Sequence, residues 1–220
     1  MVTKVAEIRP QAGLPAHEQV YRALRDAILF GSLAPGEPVT IQGLVERLGA
    51  GMTPVREAIR RLTAEQALQA LGNRRIQVPT LTEALIHELT EARLAIEPLL
   101  AVRAADRARR EDVVRLVEID RNLDAAILRG DIESYLRKNH AFHAQVNATA
   151  QAPILQSLTD TLWLRFGPSL RVVCGQMGTR SLPDCHKDLV AALKDKDADR
   201  AALAIKEDVA QGMEMIRNSL

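Results

Sequence analysis

The chain runs to 220 residues, 47% apolar and 26% charged, which allows two ordinary domains and excludes the disordered class. It has no secretory-type apolar leader and no run of eighteen apolar residues, so secretion and membrane spanning are disfavoured and a cytoplasmic protein is expected. The net charge of +1 is unevenly spread: ten Lys/Arg face seven Asp/Glu in residues 1–80, and nineteen face twenty-one in residues 81–220, which suits an anionic partner for the first part only.

Residues 1–14 show no apolar periodicity and read as a loose arm. From His17 to Phe30 the apolar residues Val20, Leu24, Ala27 and Ile28 recur at helical spacing, and the glycines and prolines of GSLAPGEPV stop that helix. Thr40 suits an N-cap for a short helix through IQGLVERL, closed by GAG. Thr53 is expected to cap the next helix, with Pro54 at its first position, where a missing N–H costs nothing. Val55, Ala58, Ile59 and Leu62 form the buried stripe of that helix and leave Arg56, Arg60 and Arg61 outside it. A helix face with three arginines is most often a solvated surface, so its surroundings decide its meaning. Leu68, Leu71, Ile76 and Val78 flank a turn at Gly72-Asn73 and predict a small β-hairpin, ended by Pro79. Helix, short helix, turn, basic helix and hairpin is the order of a winged helix-turn-helix.

From Thr82 onward the pattern predicts helices only, over 84–108, 111–129, 131–149, 153–175 and 183–217, with a break near KDKDAD in the last. Gly130-Asp131, Ala152-Pro153 and Leu182-Pro183 punctuate them. The expected fold class is mainly α: a winged helix-turn-helix domain over 1–79 and an antiparallel bundle of six or seven helices over 80–220. Cys174 and Cys185 lie eleven apart without a CxxC spacing, so reduced thiols are expected rather than a disulfide or a zinc knuckle.

Two segments, LRDAILFGSLAPGEPV and LVERLGAGMTPVREAIRRLTAEQAL, resemble the DNA-binding domain of GntR-superfamily transcription regulators. ELTEARLAIEPLLAVRAA, NHAFHAQV and CHKDLVAALKDKDADRAA are similar to the all-helical, FCD-type ligand-binding domain of that superfamily's FadR branch. The resemblance covers nearly the whole chain after residue 15 and implies a homodimeric, ligand-responsive repressor of operator DNA. A recognition helix of this kind enters the major groove by its N-terminal end, which puts Thr53 and Arg56 nearest phosphates and base edges. Arg56 suits a bidentate contact to guanine, Arg60 the backbone, and Arg74 and Arg75 an adjacent groove or phosphates from the wing. The amides of Thr53 and Val55 suit a phosphate. Three positions depart from the family: Gly51-Met52 stand where Ser-Arg is usual, Pro38 where an arginine often follows PGE, and Arg75 where a wing glycine is usual.

In the C-terminal part, Asn139 and His143 are four apart and share a helix face, a pairing that in isolation is most often a satisfied polar spot. The resemblance implies more. In relatives the corresponding Asp and His join two later histidines around a divalent cation, and here those later positions fall on His186 and Asp208. Two imidazoles, a carboxylate and an amide oxygen can hold Zn²⁺, Mn²⁺ or Ni²⁺; the plain alternative is a polar bundle interior that takes an organic ligand directly. Arg93 and Glu97 are also four apart, and an exposed pair of that kind stabilises a helix by only ~0.2–0.5 kcal/mol. The resemblance implies instead that Arg93 contacts a small carboxylate effector, which its planar fork suits. Two other functions compete: a metal-dependent hydrolase or lyase acting on a small carboxylate, and a helical module whose first domain binds protein. Against catalysis, the chain has no HExxH, no GxSxG and no phosphate-cradling loop.

Overall fold

The computed structural model describes residues 13–72, 75–177 and 185–219. It divides into two units, one of residues up to Leu81 with Trp163–Ser169, the other of Thr82–Leu162 with Leu170–Leu220.

The first unit opens with α1 (Ala16–Leu29), whose apolar stripe Val20, Leu24, Ala27 and Ile28 is buried as its spacing predicts. Most of the arm expected over 1–14 lies outside the described residues. α2 (Ile41–Leu48) starts where Thr40 accepts a hydrogen bond from the Gly43 amide at 3.0 Å, and it ends on Gly49 in the left-handed conformation at φ 59°. α3 (Met52–Ala64) packs on α1 and α2 through Val55, Ala58, Ile59 and Leu62. A fully buried Leu or Ile contributes ~1.5–3 kcal/mol, so this stripe, more than the arginines, fixes where α3 lies.

The start of α3 differs from the expectation. Gly51, extended at φ −69° and ψ 158°, is the N-cap, and no side chain caps the helix. The Val55 N–H closes onto the Gly51 carbonyl at 3.4 Å, which puts Thr53 and Pro54 inside the first turn. A proline without an N–H is tolerated throughout that turn, so the Thr-Pro signature holds two positions further along the helix.

The hairpin is present as β2 (Gln69–Leu71) and β3 (Arg75–Gln77), with Leu71 opposite Arg75. A third strand joins it. β1 (Pro38–Val39) pairs antiparallel with β3, Val39 opposite Ile76, in the order β1-β3-β2. The sequence read Pro38 and Val39 only as punctuation.

The second unit holds α4 (Glu83–Arg107), α5 (Arg110–Arg129), α6 (Ile132–Thr149), the remainder of α7 (Pro153–Met177), α8 (His186–Asp195) and α9 (Ala198–Asn218). No strand occurs among its described residues. Thr82, Asp131 and Asp197 cap α4, α6 and α9 by accepting the amides of Leu85, Ser134 and Arg200. The expected 183–217 helix breaks at Lys196-Asp197, and the Leu182-Pro183 punctuation lies outside the described residues. α4 packs on α9 and α6, α5 on α6 and α8, and α8 on α9. Among the described residues every buried polar or charged side chain belongs to this unit: Arg93, Glu97, Asp120, His143, Asn147, Thr149, Thr159 and His186. The first unit has an apolar core with its charges outside; the second keeps charge inside, where it is costly unless paired. No described helix is long and apolar enough to cross a membrane.

Candidate functional site

The three arginines of α3 have separate surroundings. Arg61 lies 3.5 Å over the Tyr21 ring and pairs with Glu18 of α1 at 3.2 Å and Glu65 at 3.1 Å. It clamps α1 to α3. Arg60 pairs with Glu57 at 2.6 Å on the exposed face. Arg56 reaches only the thioether of Met52, at 3.5 Å, and no carboxylate among the described residues lies within ion-pair distance of it. A thioether is a weak acceptor, so the Arg56 guanidinium can leave it for a stronger partner at little cost. Thr53, Arg56 and Arg60 are all exposed. With the helix beginning at Met52, Arg56 stands at the start of the second turn rather than in the first. The Val55 amide, bonded to Gly51, is not open to a phosphate, which leaves Met52 and Thr53 as the first-turn amides before Pro54. In the wing, Arg75 is exposed at the head of β3, and Arg74 lies outside the described residues.

The interior of the second unit assembles differently. His143 from α6, His186 from α8 and Asp208 from α9 converge, each offering one ligand atom within 4.8 Å of the others. His143 Nε2 is 3.3 Å from Asp208 Oδ2, and His186 Nε2 is 3.8 Å from Asp208 Oδ1. Both imidazoles are buried, and the Asp208 side chain is 18% exposed. Burial would raise the Asp208 carboxyl, but the His143 ring hydrogen-bonded beside it, then His186 and Arg93, hold it down at about 2. Asn139 lies half-buried on α6, one turn before His143. The cluster therefore joins positions on three helices that the sequence had tied to one another only through its resemblance to a family.

Each imidazole is also held from behind. His186 Nδ1 is 3.2 Å from Asp120 Oδ1 on α5, and its ring stacks on Phe142 at 3.9 Å and 14°. His143 Nδ1 is 3.8 Å from Glu97 Oε2. With Nδ1 turned to a carboxylate, each ring presents Nε2 to Asp208, the arrangement in which an outer acid orients a ligating histidine. The sequence reading passes over Asp120. Its signal is an acid on the buried stripe of α5, between Leu116 and Leu123.

Arg93 and Glu97 are not a surface pair. Arg93 Nε donates to Glu97 Oε1 at 2.5 Å and Nη2 to Oε2 at 3.2 Å, with side chains 4% and 2% exposed. From one end to the other the interior reads Arg93, Glu97, His143, Asp208, His186, Asp120: a row of alternating basic and acidic groups.

Comparison with known proteins decides what carries this arrangement. The FCD domain matches residues 88–211, and the gntR family of bacterial regulatory proteins matches residues 16–78. The chain belongs to the GntR family and carries an FCD domain. Like its relatives, this GntR chain is a DNA-binding transcription regulator and not an enzyme, which removes the hydrolase or lyase reading. It is similar to the HTH-type transcriptional regulator McbR of Escherichia coli (strain K12), 28% identical over 201 residues, 90% of this chain and 91% of McbR. The solved structure of E. coli McbR/YncC superposes with a TM-score of 0.87 at 27% identity, covering 93% of this chain and 98% of that one. The HTH-type transcriptional repressor RspR of E. coli (strain K12) is 24% identical, over 92% of this chain and 90% of RspR. The fold expected from the sequence, a winged helix-turn-helix followed by a helical bundle, is the fold of this GntR chain.

Proposed function

We propose that this GntR regulator is a cytoplasmic, homodimeric repressor that releases or holds operator DNA in response to a small organic acid sensed in the FCD domain. The division of labour falls near residue 80, with 1–79 contacting DNA and 80–220 binding effector and the second subunit. Thr53, Arg56, Arg60, Arg74 and Arg75 contact the duplex, with Arg56 reading a base edge and the others positioning on phosphates. A homodimer presents two recognition helices to one duplex, so the operator is a pseudo-palindrome.

The observation that carries the sensor is the convergence of His143, His186 and Asp208 in a buried interior. Two Nε2 atoms and a carboxylate suit Zn²⁺, Mn²⁺ or Ni²⁺, and Asn139 on the same face of α6 would add an amide oxygen. The Asp208 carboxylate is ionised at neutral pH, and along the row three carboxyl groups, Glu97, Asp208 and Asp120, stand against the one guanidinium of Arg93, an imbalance that a divalent cation would offset. A bound cation would supply an open coordination position for a carboxylate oxygen. Arg93, at the end of the row and near enough to act on the Asp208 charge, would take the same carboxylate by its planar fork.

Melting curves of the chelator-stripped chain with and without Zn²⁺, Mn²⁺ and Ni²⁺ test the metal site. A cation at a hundredfold excess over its dissociation constant stabilises by ~2.7 kcal/mol, and His143→Ala and His186→Ala should each abolish that shift. The operator is recovered by selection from random double-stranded DNA, and its affinity is then titrated with organic acids present. An acid that binds the chain and leaves operator affinity unchanged would sink the sensor reading, since linkage makes the two ligands affect each other equally.

A further inference from the structure

The carboxylate that Arg93 is expected to recognise is already there. Glu97 engages the guanidinium through two parallel contacts, at 2.5 and 3.2 Å, in the fork-to-carboxylate arrangement that a bound organic acid would use. The pair is buried, with both side chains under 5% exposed. Burying an ion pair rarely stabilises a fold over well-packed apolar residues, so helix stability alone does not account for one at this depth. Glu97 also has a second partner. Its Oε2 is 3.8 Å from His143 Nδ1, and His143 faces Asp208 through its other nitrogen. His143 therefore faces Glu97 with Nδ1, at ion-pair rather than hydrogen-bond distance, while keeping Nε2 for the cluster. Arg93 in turn is near enough to the cluster that its charge helps hold the Asp208 carboxyl down.

We propose that Glu97 is a built-in competitor: it occupies the effector's place on Arg93 in the ligand-free protein, and an incoming carboxylate binds by exchanging with it. This rests on the reading of the buried cluster as the effector site. The exchange keeps Arg93 paired and leaves Glu97 facing His143. Arg93 trades one carboxylate for another, and Glu97 keeps the imidazole it already faces. Effector affinity is then a difference between two carboxylates on one guanidinium, and Glu97 sets both the threshold concentration and the selectivity. An acid that adds a second contact at the cluster outcompetes Glu97, and a simple monocarboxylate does not.

The test uses the full-length chain in excess chelator, so that it stands apart from the metal, with acetate as the probe against chloride at equal ionic strength. Glu97→Ala removes a methylene and a carboxylate, which acetate replaces almost atom for atom. The variant is expected to melt below wild type and to regain melting temperature as acetate is added, while wild type stays unmoved. The double variant Arg93→Ala/Glu97→Ala is expected not to respond. Should Glu97→Ala fail to fold, Glu97→Gln keeps the shape and replaces the competing charge with an amide, a weaker partner for a guanidinium. Calorimetry should then give acetate binding tighter than in wild type by about tenfold. A Glu97→Ala chain indifferent to acetate, an equal response in the double variant, or unchanged or weaker acetate binding in Glu97→Gln would overturn the proposal. Metal shifts and operator release are read separately, so failure of the sensor itself appears in those measurements and not in this one.

Discussion

Acid should strip stability from this protein through one carboxylate in particular. Asp208 has an ordinary carboxyl value of 3.8 when unfolded and about 2 when folded, because His143 and His186 sit against it. At 1.36 kcal/mol per pKa unit the gap amounts to about 2 kcal/mol in favour of the folded state. The folded value is depressed, so this contribution is fully present above about pH 4 and is lost as the pH falls through 2. Integrated along that path, the loss is about 1 kcal/mol by pH 3 and about 2 kcal/mol by pH 2. The assay is urea denaturation of metal-free wild type and Asp208→Asn at steps from pH 5 to pH 2. The variant should begin less stable and fall less steeply, the two curves closing by about 2 kcal/mol, because every other carboxylate titrates in both. Parallel curves would show that the imidazoles do not hold Asp208 as the geometry requires.

Arg61→Ala should lose about 1 kcal/mol by urea denaturation, from the Tyr21 stack and two half-exposed ion pairs, and keep its preference for operator DNA. Arg56→Ala should do the reverse, with stability near wild type and discrimination reduced by ~1–3 kcal/mol in competition against random DNA; matching losses of stability in both variants would contradict the assignment. Asp120→Ala should weaken metal binding by about 10–100-fold in competition with a chromophoric chelator, through the loss of its contact with His186 Nδ1, and unchanged affinity would remove Asp120 from the site. The Tyr21 phenol should ionise only at about 12, because burial and then Glu65 oppose the phenolate. Its stabilising share is complete below pH 10 and lost as the pH rises through 12, a transition that absorbance titration of a Tyr135→Phe chain reads directly.

Most helices were legible because their apolar residues repeat at the helical period, as with Val20, Leu24, Ala27 and Ile28 on α1. What escaped was decided at a distance. β1 is two residues long with no alternation to read, and it exists because Val39 finds Ile76 across the wing. The start of α3 moved by two positions because two local rules compete there, a Thr-Pro signature and an extended glycine, and the carbonyl of Gly51 closes the first turn. Inside the bundle, Asn139 and His143 were readable as a pair because they lie four apart on one helix. The contact between His186 and Asp120 spans 66 residues and has no local signature beyond an acid on an apolar stripe. The Arg93–Glu97 pair offered the same hint, since both fall on the buried stripe of α4 with Leu89 and Leu100. Spacing gave their partnership but not their depth.

The alternating row from Arg93 to Asp120 constrains the order in which this interior can change over generations. The family resemblance of the sequence implies an acid at the position of Asn139 and a histidine at that of Asp208, so the proposed ligand set would hold one carboxylate in either arrangement, on α6 or on α9. A lineage cannot cross between them in one substitution. One route passes through a chain with acids at both positions, which adds a negative charge to an interior where Asp120 and Glu97 already answer His186 and Arg93. The other passes through a chain with neither, where His143 and His186 lose the carboxylate that now lies between them. Each intermediate is then expected to be worse than both ends: substitutions at 139 and 208 should show sign epistasis, and a double variant that exchanges the two should recover what either single change destroys.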